Sequence, residues 1–168
     1  MTFPFAQRLD NVETSAIREL FKLLGKPGII SFAGGFPDSA MFDVDGIREA
    51  ANQALATEPG AALQYGATEG YQPLREQLAQ FMQAKGAKDV TADQLIVTTG
   101  SQQALDLLGK CLVDPDSKAI VEGPTFLATI QCFRLYGAEL ISAPIDGEGV
   151  QVDQLERLIT EHKPKFVY

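Results

Sequence analysis

The sequence predicts an α/β protein, a mostly parallel sheet with helices on both faces, preceded by an N-terminal helical arm. Three observations carry that expectation. From residue 95 onward, short apolar runs alternate with amphipathic segments of helical spacing. The connections between them are short. The apolar runs also lack the in-out alternation of a half-exposed strand, as expected where both faces of a parallel strand are covered.

Before that point the chain reads as helices and loops. Residues 15–24 place Ile17, Leu20, Phe21 and Leu24 at i, i+3, i+4 and i+7, an amphipathic helix. Gly25, Pro27 and Gly28 end it. Residues 29–32 are a short apolar run, a candidate strand, and 33–38 a loop by composition. Asp45 is expected to cap a helix carrying Ile47, Ala50, Ala51, Ala54 and Leu55, ended by Pro59 and Gly60. A second loop covers 65–70. Pro73 suits the first turn of a helix with Leu74, Leu78, Phe81 and Met82 on one face. Thr91 and Gln94 have the spacing of a capping box.

The regular part follows. Residues 95–99 read as a strand. Residues 101–112 read as a helix with Ala104, Leu105, Leu108, Cys111 and Leu112 inward. A strand at 119–121, a helix at 125–136 ended by Gly137, and a strand at 139–143 come next. Asp153, with Glu156 three residues on, is expected to cap a helix carrying Leu155, Leu158 and Ile159. Phe166 begins another strand. There is no internal repeat and no low-complexity segment. A chain that stops inside an apolar strand is expected to be part of a longer polypeptide, because parallel strands need cover.

Composition narrows the function. The 168 residues carry a formal charge of −8 and no basic run, which argues against nucleic acid as a partner. A single phosphate needs only a local site and stays open. No apolar stretch approaches the roughly 18 residues of a membrane span. The N-terminus lacks the basic-then-apolar pattern of a secretory signal, so a cytoplasmic protein is expected. Cys111 and Cys132 read as buried free thiols, without metal or redox spacing. No metal site is expected. His162, the only histidine, reads as a solvated residue after a helix end and supports no Ser/His/Asp triad.

The best local site is the string TTGSQQ, residues 98–103, at a strand-to-helix junction. A helix start leaves amide N–H groups unpaired and carries partial positive charge. Gly100 allows a tight turn, and the Ser101 hydroxyl with the Ser101 and Gln102 amides can converge on an anion. The alternative is that Ser101 merely caps its helix. Phe126, in the string EGPTF after the next strand, lies where open α/β sheets bind ligands. Its ring could stack on a planar group, or it could be core. No Walker loop and no dinucleotide fingerprint is present.

Four strings, ISFAGGFPD, LQYGATEGYQPLRE, VTTGSQQALDL and VEGPTF, occur in this order. Together they resemble the first part of class I aminotransferases, pyridoxal-phosphate enzymes of fold type I, nearest to the 2-aminoadipate and broad-specificity branch. The resemblance covers about 15 to 168. It implies that Gly100, Ser101 and Gln102 hold the cofactor phosphate, and that Phe126 stacks on the pyridine ring where many relatives carry tyrosine or tryptophan. It implies that Tyr65 reaches the phosphate of a partner subunit's cofactor in a homodimer. Gly34 and Gly35 would bring backbone N–H groups to the substrate carboxylate. Arg18, in an IREL context, would contact the substrate side chain, a task for which a guanidinium is well shaped.

The resemblance also assigns domains: 1–44 as N-terminal arm and part of a small domain, 45–168 as the incomplete N-terminal part of the cofactor-binding large domain. It places the Schiff-base lysine, the acidic partner of the pyridinium and the arginine for the α-carboxylate beyond Tyr168. Lys22, Lys26, Lys85, Lys88, Lys110, Lys118, Lys163 and Lys165 each read as residues of a solvated face. The implied activity of the parent protein is ping-pong transfer of an amino group from an amino acid to a 2-oxo acid, with the isolated chain inactive. Two alternatives are an aminotransferase-like sensor domain of a transcription regulator, for which the fifteen residues before the first family-like helix leave no room, and a non-catalytic phosphate- or cofactor-binding module.

Overall fold

The structure, a computed structural model, describes residues 4–9, 32, 35 and 37–168. The chain divides into two compact units, Ser15–Val97 and a second made of Met1–Thr14 with Thr98–Tyr168. The first is helical among its described residues; the second contains the sheet.

In the helical unit, α1 spans Val44–Thr57, α2 Pro59–Leu63 and α3 Gln72–Ala84. The cap of α1 is Asp43, whose carboxylate accepts the Gly46 N–H at 2.9 Å. This corrects the expectation that Asp45 caps. Asp45 instead sits in the first turn, paired with Arg48, where the helix dipole favours an acid. A Cβ on Gly46 would come within 2.2 Å of the Asp43 carboxylate, so the cap requires that glycine. Pro59 does more than end α1: it opens α2. Pro73 lies in the first turn of α3 as expected.

Arg75 and Ala79 are the buried residues of α3. The Arg75 guanidinium donates to the carbonyl of Ala92 at 3.0 Å and to the side chain of Gln72. It thereby ties α3 to the turn Ala92–Gln94, which carries the expected capping box between Thr91 and Gln94. Residues 95–99 form no strand, contrary to the sequence expectation. A strand is defined by its ladder, and here the Val97 N–H goes to the loop carbonyl of Glu69 at 2.9 Å.

In the sheet unit, α4 (Ser101–Leu112), β1 (Lys118–Gly123), α5 (Leu127–Leu135), β2 (Glu139–Asp146), β3 (Gly149–Val150), α6 (Val152–His162) and β4 (Phe166–Val167) follow in order. The four strands lie in the order β3-β2-β1-β4. β1 is parallel to β2, with Ile120 opposite Ile141, and to β4, with Ala119 opposite Phe166. β3 was not foreseen; it closes a short antiparallel hairpin on β2, pairing Ile145 with Val150. The crossover β1-α5-β2 steps one way along the sheet, and β2-α6-β4 steps the other way past β1. Right-handed crossovers therefore put α5 and α6 on opposite faces, the layering expected from the sequence.

Ala119 and Ile120 of β1 are wholly buried. Leu105, Val113, Cys132, Phe133 and Ala138 form one cluster, with Tyr136, Leu140 and Phe166 packed against it. Phe133 meets Phe166 edge-on at 5.1 Å between ring centroids. The inward stripe of α4 is narrower than expected. Leu105 and Gly109 are buried, whereas Leu108, Cys111 and Leu112 are exposed. Cys132 is the buried thiol and burial pushes its pKa up; Cys111 is exposed, which corrects its sequence reading. At α6, Gln151 holds the N-cap position without a side-chain bond, and Asp153 sits in the first turn instead of capping. His162 is the last residue of α6, half-buried beside Glu161. Among the described residues, no helix is long and apolar enough to cross a membrane.

Candidate functional site

The site is built around the opening of α4. Gly100 is its N-cap, with φ +80°. A Cβ there would meet nothing within 4 Å, so backbone conformation, not space, calls for glycine. Ser101 is the first residue inside the helix, and the N-cap makes no side-chain hydrogen bond. The N-cap position thus falls to Gly100 and not to Ser101. Thr99 N–H donates to the Gln103 side-chain carbonyl at 2.5 Å, and the Thr98 hydroxyl donates to the Gly100 carbonyl at 3.2 Å. The Gly100, Ser101 and Gln102 amides are left with no acceptor among the described residues. They stand exposed at the positive end of a twelve-residue helix.

Phe126 follows closely on the C-terminal end of β1. Tyr136, just past α5, donates its hydroxyl to Asp106 on α4 at 2.6 Å, and its ring covers Gly109, where a Cβ would come within 2.5 Å. The residue just past α5 thus packs on α4 at Asp106 and Gly109. α5 connects the parallel strands β1 and β2 and so runs antiparallel to both. Phe126 is the N-cap residue of α5 and is 56% exposed, so it is not core.

The Asp106 cluster also fixes charge. The hydrogen bond from Tyr136, and next that from Lys110 at 2.9 Å, hold the Asp106 carboxyl below its ordinary range. The same bond to Asp106 pushes the Tyr136 phenol up.

Tyr65 and Gly35 lie in the helical unit. Tyr65 is 99% exposed, its ring free of its own unit. Its loop is pinned by Gly70 N–H to Ala67 carbonyl at 3.0 Å and by the bond from Val97 to Glu69. Gly35 has φ +60° and is exposed. Arg18 and Gly34 lie outside the described residues, as do Lys22 and Lys26.

The sheet unit carries four lysines, of which Lys163 is the C-cap residue of α6. Lys118 opens β1, and Lys165, just before the parallel β4, donates its backbone N–H to the Lys118 carbonyl. Lys165 also pairs with Asp114, and Lys110 lies in the last turn of α4. None of these belongs to the first turn of α4. Among the described residues no group of three or more His, Cys, Asp or Glu could hold a metal ion. Sequence reasoning missed the parts played by Thr98 and Gln103. The visible signal was a glutamine at the third helical position, the place of the reciprocal residue in a capping box.

The profile of the family "Aminotransferase class I and II" matches residues 27–168. A 2-aminoadipate transaminase of Thermus thermophilus is 40% identical over 164 residues, 98% of this chain and 40% of that protein. An aromatic-amino-acid aminotransferase of Thermococcus litoralis is 39% identical, again over 98% of this chain and 40% of its own. Among solved structures, an alpha-aminoadipate aminotransferase of Thermus thermophilus, complexed with N-(5'-phosphopyridoxyl)-L-leucine, superposes with a TM-score of 0.82 at 39% identity, covering 98% of this chain and 39% of that one. The chain thus spans about 40% of the length of the curated relatives it matches.

Proposed function

This chain belongs to the aminotransferase class I and II family, and on that premise we propose that the protein containing it transfers an amino group from an amino acid to a 2-oxo acid, using pyridoxal phosphate. The observation that carries the reading is the start of α4, where three adjacent amides lack acceptors and the Ser101 hydroxyl is not used as a cap. That donor set fits a phosphate. Helix starts bind such groups because unpaired N–H groups and the dipole act together.

In this reading the Gly100, Ser101 and Gln102 amides and the Ser101 hydroxyl hold the phosphate of the cofactor. The exposed Phe126 ring stacks on the pyridine and sets its plane. When bound, pyridoxal phosphate supplies an electron sink for the charge left at the substrate Cα when its proton departs. Tyr65, free of its own unit, reaches the phosphate site of a second subunit, so the assembly is a homodimer. Gly34 and Gly35 present N–H groups to the substrate carboxylate, and Arg18 selects an acidic side chain, in keeping with the 2-aminoadipate transaminase relative. The Schiff-base lysine lies outside residues 1–168, in keeping with a first turn of α4 that carries no lysine. An enzyme is preferred to a sensor domain because both relatives at 39–40% identity are aminotransferases. The division into an arm with part of a small domain, 1–44, and a cofactor-binding domain, 45–168, belongs to the same proposal.

The test is a half-reaction with the full-length protein. Loaded with pyridoxal phosphate, it is expected to yield one equivalent of oxo acid from 2-aminoadipate. Ser101→Ala is expected to weaken cofactor binding about tenfold, the scale of a hydrogen bond to a charged group. The 168-residue chain alone is expected to show no transamination with 2-oxoglutarate as acceptor. Turnover above background by that chain would contradict the placement of the lysine.

A further inference from the structure

We propose that Thr98 and Gln103 are positioning residues that lock the peptide plane between Gly100 and Ser101, and so set the selectivity of this site for a phosphate-bearing ligand. The inference rests on the phosphate reading of α4 and adds to it how the cradle is held ready. A peptide group is planar and trans, so the carbonyl of one residue and the N–H of the next point in opposite directions. The Thr98 hydroxyl holds the Gly100 carbonyl at 3.2 Å. That bond turns the Ser101 N–H the other way, out toward an anion.

Glycine makes the lock necessary. At φ +80° and ψ 171°, Gly100 occupies a conformation that residues with a Cβ rarely adopt, and the Thr98 bond adds to the hold that the first turn of the helix has on its carbonyl. A flip of the plane would aim a carbonyl oxygen, not an N–H, at the phosphate. Gln103 restrains the other side. In an ordinary capping box the side chain at the third helical position bonds the N-cap amide. Here Gln103 reaches one residue further and takes the Thr99 N–H at 2.5 Å. The amide before the glycine is thereby used up, and those of Gly100, Ser101 and Gln102 stay free for the ligand. Both side chains act on backbone groups, Thr98 on the Gly100 carbonyl and Gln103 on the Thr99 N–H.

The experiment measures, with the full-length apoprotein, dissociation constants for pyridoxal phosphate and for pyridoxal, which lacks the phosphate. Their ratio is the phosphate selectivity. Thr98→Val and Gln103→Met are each expected to lower that ratio about tenfold, with the pyridoxal constant unchanged, and Thr98→Ser is expected to restore it. A purely structural role would weaken both ligands alike and leave the ratio fixed. Wild-type selectivity retained in full by both Val and Met variants would overturn the lock while leaving the phosphate reading standing. Absence of any preference in the wild-type protein would overturn the phosphate reading itself, and the lock with it. Because the readout is a ratio within each variant and two independent variants are used, misfolding of one leaves the other to decide.

Discussion

The two units of this chain use the same kind of amphipathic pattern with opposite results. In the sheet unit, Ala119, Ile120, Thr129 and Phe133 are at most 1% exposed. In the helical unit, the buried residues among those described are Arg75 and Ala79, while Ile47, Leu63 and Phe81 are more than 60% exposed. A helix buries its apolar stripe only when another element meets it. β1, flanked by parallel strands and covered by helices, supplies that complement in one unit. In the other, the apolar faces of α1 and α3 find no comparable complement among the described residues. Amphipathicity announces that a face seeks cover. It does not say where the cover comes from.

Substitutions at equivalent side chains break this contrast most sharply. Phe133→Ala is expected to destabilise the sheet unit by about 3–5 kcal/mol, because the ring fills the cluster against Phe166. Phe81→Ala in the 168-residue chain is expected to stay within about 0.5 kcal/mol. Denaturant titration of both variants measures the pair, and equal losses would erase the distinction. Arg75→Met comes next, at about 2–3 kcal/mol, since it strips the Ala92 carbonyl of its buried donor. Hydrogen exchange at Leu95 and Val97 should accelerate in the same variant. Gly100→Ala should cost about 1–2 kcal/mol, through backbone strain alone, as a Cβ there meets no atom.

The smallest effect is one of pH. The Tyr136 phenol is held protonated by Asp106, so its contribution to stability is present below its ordinary value of 10.0 and fades as pH climbs through the raised folded value. The Asp106 carboxylate works in the opposite direction, contributing above its ordinary 3.8 and fading as pH falls through the lowered folded value. Tyr136→Phe is expected to flatten the alkaline limb of a stability–pH profile, and Asp106→Asn both limbs. An alkaline limb unchanged in Tyr136→Phe would assign it to other groups.

The helices and the parallel strands after residue 100 were legible because their signals are local: helical spacing, prolines in first turns, glycines after last turns. The strand expected at 95–99 was not, because a strand is decided by its partner, and Val97 here bonds a loop carbonyl. Caps were misassigned where two acids compete. Asp43 wins over Asp45 because only Gly46 leaves room for its carboxylate. The candidate site was legible as a motif, but the motif could not tell a capping serine from a free one. The φ of Gly100 decides that, by making the glycine the N-cap and Ser101 the first helical residue. Thr98 and Gln103 escaped notice because their work is done on backbone groups, which the sequence does not display.

The most direct measurement is a crystal structure of the full-length protein with pyridoxal phosphate bound. The expected result places phosphate oxygens within about 3.2 Å of the Gly100, Ser101 and Gln102 amides, with the Phe126 ring against the pyridine. A phosphate held elsewhere, with those three amides facing only water, would contradict the account.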